Sequence, residues 1–339
     1  MIKEKIKKCK EEILKILDLD DWTLDLMMLP IICDGHAVLH GMIGTAKTAA
    51  IMTLGKTLDM KTGIYQCHPE TMPSDIIGFE KFNQKTKEFD IRNGPILDYE
   101  MLLVDEINRM SPRSQAALLG PMAQGKVTIG EKELNIKSPF VVYATMNPIE
   151  SQGVYPLSEA QVDRFLLQIP FPYHSYEGIE RILSYPNARA TQVQIDKLKP
   201  VINKDEILKA CQVVNNIPLG DAKKWITAVY LACCPERDLG RRAPKHWKPL
   251  EEAETCVQYG PSPRALRDLA QAARGISYLN GRPIVKEDVE KLAIPVLRHR
   301  IVLRRQLPEK YRKLSMTDQV DKFIEEIIKT VKDRYTLIL

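Results

Sequence analysis

Ile2, Ile6, Cys9, Ile13, Leu14 and Leu17 recur at helical spacing, which predicts an amphipathic helix over residues 2–17 with a charged, solvated opposite face. From Ala37 to about Pro170 the pattern changes. Short β-type runs, AVLH (37–40), GIYQC (63–67), MLLVDE (101–106), FVVYATM (140–146) and FLLQI (165–169), alternate there with helical stretches. Strands spaced this way, with segments between them long enough for crossovers, predict a mostly parallel sheet flanked by helices. After FPYHSY (171–176) helical periodicity takes over and no comparable β run returns. Segments near 204–215, 221–234, 262–279, 286–303 and 317–334 read as helices, bounded by Pro218-Leu219-Gly220-Asp221 and Asn280-Gly281-Arg282-Pro283. The expected division is an N-terminal helical segment (1–34), an α/β core (35–172) and an all-helical domain (173–339).

Composition narrows the class without naming a chemistry. The 339 residues suffice for two or three domains, and 44% apolar with 27% charged residues is ordinary for a globular chain. No apolar run approaches the ~18–20 residues of a membrane span, and MIKEKIKKCKEEILKIL alternates charge with apolar residues where a signal peptide needs an apolar core. A cytoplasmic protein is expected. Seven cysteines, an odd number without a C-x-x-C pair, suggest reduced, buried thiols in place of disulfides or a zinc site. The net charge of +5 is too mild to indicate nucleic acid by itself. Two local basic clusters, 237–248 (Arg237, Arg241, Arg242, Lys245, Lys248) and 298–313 (Arg298, Arg300, Arg304, Arg305, Lys310, Arg312, Lys313), keep a nucleic-acid motor open as an alternative. Solvated faces or interfaces explain both more cheaply.

The chemistry begins where strand 37–40 runs into Gly41-Met42-Ile43-Gly44-Thr45-Ala46-Lys47-Thr48 and then a helix-forming stretch. A strand, a glycine loop and a helix N-terminus in this order let backbone N–H groups surround a polyphosphate. Lys47 can reach β- and γ-phosphates and Thr48 can ligate Mg²⁺; Ala46 stands where the general pattern has glycine. Met101 to Val104 then forms an apolar run ending in Asp105-Glu106, two carboxylates at the C-terminal edge of a parallel sheet, where such folds bind ligands. Asp105 suits Mg²⁺ and Glu106 suits an attacking water. Asn147, after the strand ending in Thr145-Met146, can hold that water or the γ-phosphate without charge repulsion. Arg164, just before the fifth strand, suits either a surface carboxylate or a site in a neighbouring subunit.

Together GMIGTAKT, PSDIIG, NGPIL, LLVDEINR, QAALLGPMAQGKVTIG, ATMNPIE, YPLSEAQVDRF and GPSPRALRDLAQAAR resemble the MoxR family of AAA+ ATPases, from about Gly35 to Arg300. Many MoxR-type sequences carry alanine at the position of Ala46. The resemblance implies a P-loop core with a five-stranded parallel αβα sheet, a helical lid, and assembly into a ring, usually a hexamer. It implies ATP and Mg²⁺ as ligands, with Gly41 to Thr48 and Asp105 binding the nucleotide and Thr48 and Asp105 the metal. It assigns water activation to Glu106, the first sensor to Asn147, a trans-acting arginine finger to Arg164 and the lid sensor to Arg264. Inserts at about 72–94, with a turn at Asn83-Gln84-Lys85-Thr86, and at 125–137, read as a β-hairpin, resemble those that contact client proteins in related rings. Clients or adaptors with a von Willebrand A domain are among the implied partners, in maturation or metal insertion. A slow ATP-gated scaffold is the remaining alternative. The chain departs from the family at Leu19-Asp20-Asp21-Trp22-Thr23-Leu24, where a Val-Val-Gly-Gln-like stretch is usual, while Gly35-His36 matches it.

Overall fold

The computed structural model describes residues 2–41, 44–146, 154–172, 175–184, 188–239 and 249–338. Packing divides the chain into two compact units, Met1–Phe165 with Ile169–Gln212, and Leu166–Gln168 with Val213–Leu339.

The first unit opens with two helices, α1 (Ile2–Leu14) and α2 (Asp21–Ile32). The stretch that departs from the family pattern is a helix start. Asp20 caps α2, accepting from the Thr23 N–H at 2.8 Å and its hydroxyl at 2.7 Å. Nearly all of α2 is buried, consistent with the unbroken apolar run LMMLPII.

The elements that follow in chain order are β1 (Ala37–His40), α3 (Lys47–Thr57), β2 (Thr62–Gln66), α4 (Pro73–Ile77), β3 (Gly78–Asn83), β4 (Glu88–Asn93), α5 (Pro95–Asp98) and β5 (Met101–Asp105). After them come α6 (Pro112–Gln124), β6 (Lys126–Ile129), β7 (Lys132–Asn135), β8 (Val141–Thr145), α7 (Glu159–Val162) and β9 (Leu167–Pro170). The main sheet has the order β2-β5-β8-β1-β9, with β2–β5, β5–β8 and β8–β1 parallel. Its five strands are the five β runs of the sequence. β5 and β8 are buried along almost their whole length, which is why they read as unbroken apolar runs rather than alternating ones.

Both inserts are antiparallel hairpins. In β3–β4 the ladder closes at Asn83 and Glu88, and Asn83 accepts from the Lys85 N–H at 3.0 Å, the expected turn. Phe82 faces Phe89 across it, ring centroids 5.3 Å apart and both rings about half exposed. The second hairpin, β6–β7, turns at Gly130, whose φ is +57°; a Cβ there would stand 2.3 Å from the Glu80 carboxylate of β3. Glycine lets the two hairpins approach.

The first unit continues past the sheet through α8 (Tyr176–Ser184), α9 (Ala188–Lys197) and much of α10 (Lys204–Asn215). The change of periodicity near residue 172 marks the end of the sheet, not the end of packing. Val201 and Ile202 donate their N–H groups to the Thr57 carbonyl at 2.8 and 3.2 Å, and Lys204 pairs with Glu100 at 2.6 Å. The N-terminal segment belongs to the same body, since the Tyr143 hydroxyl donates to the Met27 carbonyl.

The second unit contains α11 (Ala222–Ala232), α12 (Glu236–Leu239), α13 (Glu251–Cys256), β10 (Val257–Tyr259), α14 (Pro263–Asn280), α15 (Lys286–Leu297), β11 (Val302–Leu303), α16 (Glu309–Arg312) and α17 (Met316–Ile338). Among the described residues it is helical as expected except for one antiparallel ribbon, β10–β11. The helix expected over 286–303 ends at Leu297, because the chain beyond it extends to pair with β10. Strands of two or three residues leave no periodic signal.

Candidate active site

The loop after β1 is shaped by the backbone beside it. A Cβ on Gly41 would stand 2.8 Å from the Phe171 carbonyl oxygen, so only glycine fits there. Gly44 has φ +85°, and Ala46, at the N-cap of α3, has φ +58° and ψ +23°. The alanine that breaks the general phosphate-loop pattern thus occupies the left-handed conformation that favours glycine. Lys47 starts α3, and its ammonium donates to the Gly41 carbonyl at 2.9 Å and to the Thr45 hydroxyl at 3.3 Å. Partial burial pushes its pKa below the ordinary lysine value, against the pull of Asp105.

A cavity of about 300 Å³ is lined by Gly41, Gly44, Thr45, Ala46, Lys47 and Thr48 on one side and by Asp105, Glu106, Thr145 and Met146 on the other. The structure therefore brings the loop and the acidic strand end together. Met42, Ile43 and Asn147 lie outside the described residues, as does the basic stretch 241–248. Arg264 lies at the start of α14 in the second unit, in a helix capped by Ser262.

Residues with no signal of their own in the sequence hold the acidic pair. The Thr145 hydroxyl at the end of β8 donates to Asp105 Oδ1 at 2.5 Å and accepts from the Glu106 N–H at 2.8 Å. Glu106 has φ +56°, a left-handed backbone on a branched-free acidic residue that turns the chain directly off β5. Its carboxylate Oε2 accepts from Gln66 Nε2 at 3.0 Å and pairs with Arg109 Nε at 2.9 Å. Gln115, fully buried in α6, fixes the turn that follows by donating to the carbonyls of Met110 at 3.1 Å and Tyr155 at 2.8 Å. A threonine or glutamine at a strand end is common turn chemistry; only the register of β2, β5 and β8 shows that Gln66 and Thr145 flank the acids.

Arg164 is held by a neutral partner: Nη1 donates to the Leu119 carbonyl of α6. His36 is structural. It is buried, donating from Nε2 to the Met122 carbonyl at 3.2 Å and accepting from the Val142 N–H at Nδ1 at 3.1 Å, so it links α6 to β8 as the neutral tautomer. Cys67, next to Gln66, is buried, and its thiol is pushed up to about 12 by burial and by the Asp105 and Glu106 charges, which leaves it inert.

Two residues of the basic cluster 298–313, Arg298 and Arg300, are turned inward, and most of the others are held by neighbouring groups at the surface. Arg298 binds Asp321, Arg300 Nη2 lies 2.5 Å from Asp268 Oδ2, Lys310 lies 2.5 Å from Glu326, and Arg304 and Arg312 donate to the carbonyls of Val257 and Leu307. Arg237 likewise donates to the carbonyls of Val257 and Gln258. Arg298 and Arg300 are thereby withdrawn from a phosphate backbone, while Arg237, Arg304, Lys310 and Arg312 stay exposed.

Thr48 and Asp105 offer one hydroxyl and one carboxylate at the cavity, and among the described residues no cluster of three or more His, Cys, Asp or Glu could hold a metal. Such a sparse donor set fits Mg²⁺, which binds through one or two protein groups and substrate phosphates. No helix among the described residues is long and apolar enough to cross a membrane.

Comparison with known proteins agrees with this geometry. The model of the ATPase family associated with various cellular activities matches residues 36–167, and that of the AAA lid domain matches 250–323. The chain is 34% identical over 294 residues to Chaperone MoxR1 of Mycobacterium tuberculosis, covering 86% of this chain and 74% of that protein. It is 33% identical to protein YeaC of Bacillus subtilis, covering 91% and 88%. A solved structure of a candidate ATPase from Cytophaga hutchinsonii superposes with a TM-score of 0.80 at 30% identity, over 95% of this chain and 94% of the other. With the loop, the acidic strand end and the lid all matched in order, the chain belongs to the MoxR family of AAA+ ATPases.

Proposed function

We propose that this chain binds ATP in the loop cavity and hydrolyses it to ADP and phosphate, using the cycle to remodel, mature or insert metal into a partner protein in the cytoplasm. The convergence of Lys47, Thr48, Asp105 and Glu106 on one cavity carries this reading. Lys47 would exchange its carbonyl and hydroxyl partners for β- and γ-phosphate oxygens, a stronger charge-assisted set. Thr48 and Asp105 would hold Mg²⁺, whose charge offsets that of the transferred phosphoryl group. Glu106 would accept the proton of the attacking water, and Asn147 would orient that water. Arg164 would act across a subunit boundary in a ring, expected to be a hexamer, after leaving the Leu119 carbonyl; Arg264 would read the nucleotide from the lid. The exposed aromatic pair Phe82 and Phe89 suits contact with a client, for which a von Willebrand A-domain protein is one candidate.

Glu106→Gln tests the chemistry, because it keeps size and hydrogen bonding but removes the base. ATP should still bind in calorimetry while hydrolysis falls by about 10²-fold or more. Undiminished turnover would assign water activation elsewhere. Mixing Arg164→Ala with Glu106→Gln subunits should restore activity absent from either variant alone, since each ring would then contain intact composite sites. Mixed rings that stay inactive at every ratio would count against the trans role.

The grip of Gln66 and Arg109 on Glu106 favours a second reading, a slow ATP-gated scaffold. A carboxylate whose Oε2 already accepts two donors, one of them charged, is a weaker base. Steady-state turnover with and without partner separates the two, because a remodeller should accelerate on engagement and a scaffold should not.

A further inference from the structure

A second cavity, of about 450 Å³, shares no residue with the first and lies between α1 and the end of α9 with the segment after it. Its apolar side is formed by Ile16, which is buried, and by Leu198 and Val201, which are half-buried. Its rim carries Lys8, Lys15, Lys197 and Lys199, all exposed, against a single carboxylate, Glu12. Lys15 and Glu12 satisfy each other at 2.6 Å. Lys8, Lys197 and Lys199 make no ion pair among the described residues.

Lys5 and Lys10 of the same helix do not behave this way. Lys5 pairs with Glu206 at 2.6 Å and Lys10 with Asp25 at 2.7 Å, so the helix supplies partners where it packs against its own chain. Three ammonium groups that make no ion pair among the described residues thus line one groove. Its two walls are tied to one buried residue, since Cys9 donates to the Thr57 hydroxyl at 3.0 Å while Val201 and Ile202 bond the Thr57 carbonyl. The groove is thus held open by the fold, and filling it requires no rearrangement of its walls.

Three like charges around an apolar depression are complementary to a ligand that carries several negative charges and an aliphatic group together. The lining contains no aromatic ring on which a base could stack, which disfavours single-stranded nucleic acid. We propose that this groove docks an acidic peptide segment of a partner protein, its carboxylates on Lys8, Lys197 and Lys199 and an aliphatic side chain against Ile16, Leu198 and Val201. The inference does not depend on ATP hydrolysis.

The test uses the full-length protein and a fluorescein-labelled twelve-residue probe of alternating Glu-Glu-Leu units, read by anisotropy. Binding should weaken on raising salt and fall at least tenfold in the triple variant Lys8→Glu, Lys197→Glu, Lys199→Glu, with thermal stability checked in parallel. Glu12→Gln removes the groove's own negative charge and should tighten binding by about threefold, an opposite sign that misfolding would not produce. Reversing Lys223 and Lys224, exposed on α11, should change nothing. An all-glutamate probe should bind several-fold more weakly, because it offers nothing to the apolar side. Absence of probe binding, or equal binding in the triple variant, overturns the proposal. So does a single-stranded oligothymidylate that binds as tightly and responds to the same substitutions, which would make the surface a nucleic-acid site. ATPase activity measured on the same samples keeps the two readings apart: a wild-type protein that hydrolyses ATP but does not bind the probe rejects only the groove, and one that binds the probe without hydrolysing ATP rejects only the ATPase.

Discussion

Basic residues near the phosphate loop and basic residues in the second unit look alike in the sequence, yet they are held in opposite ways. Lys47 rests on a carbonyl and a hydroxyl, beside a cavity. Arg300 and Arg298 are almost fully buried on the carboxylates of Asp268 and Asp321, and Arg282 makes two 2.7 Å bonds to Asp288. The backbone differs too, since Ala46 and Glu106 sit at positive φ around the cavity. Groups held by neutral partners and strained loops can be recruited by an anion. Groups locked in buried carboxylate pairs cannot, because a ligand would have to break a pair and leave a charge buried.

The sharpest way to break this contrast is Lys47→Ala. Bonds to charged groups are worth about 1.5–3 kcal/mol each, so losing two should weaken ATP binding by roughly 10²–10⁴-fold. The fold should survive, because the lysine's neutral partners near solvent can be satisfied by water. Calorimetry showing wild-type affinity would mean that the loop is not the phosphate site.

Arg300→Leu should do the reverse, leaving nucleotide binding intact and destabilising the protein by up to about 3–5 kcal/mol, because Asp268 loses its buried partner and keeps the exposed Arg267 only at 3.6 Å. The double variant Arg300→Leu with Asp268→Leu should recover most of that loss in urea unfolding. If the single variant instead lowers affinity for an oligonucleotide without loss of stability, the inward reading of Arg300 fails.

The same contrast explains what the sequence could and could not disclose. Gly41, Lys47 and Asp105-Glu106 were legible because a loop between a strand and a helix, and acids at a strand end, impose residue types at fixed offsets. The central strands β5 and β8 were the most legible, because buried parallel strands are apolar throughout. Gln66, Arg109 and Thr145 were not, since they meet Glu106 and Asp105 only through strand register and a turn. Nor was the fate of the lid arginines, whose acidic partners lie as far away as 32 positions in the chain. The β10–β11 ribbon and the extension of the first unit to Gln212 depend on packing alone.

His36 extends the comparison to a group whose burial disfavours charge. Burial lowers its pKa from 6.5, and the Val142 N–H that it accepts leaves no room for a second proton. Above pH 6.5 both folded and unfolded chains hold it neutral. As the pH falls below that value the unfolded chain takes up a proton that the fold refuses, so stability drops by up to about 1.4 kcal/mol per pH unit until the folded value is reached. Unfolding measured across this window should show a smaller drop in His36→Gln, which keeps a donor and an acceptor but does not titrate. An unchanged difference between pH 7 and pH 5 would show that His36 is charged or exposed in solution.

The smallest expected effect concerns the strain itself. Ala46 holds φ +58° at the start of α3, a conformation that costs an L-residue about 1–2 kcal/mol and glycine nothing. Against that gain stands the greater freedom glycine has in the unfolded chain, worth about 0.4–1 kcal/mol. The net expectation for Ala46→Gly is a stabilisation of about 0.5–1 kcal/mol, seen as a modest rise in midpoint temperature, with ATP affinity nearly unchanged because no phosphate donor is removed. A β-branched residue makes the complementary test. Ala46→Val should lose stability and nucleotide affinity together, since the left-handed loop it resists is the one that aims Lys47 at the cavity. If Ala46→Gly destabilises while Ala46→Val is neutral, the loop in solution is not left-handed at this position, and the argument that the pocket stores strain which the lid avoids loses its best-defined example.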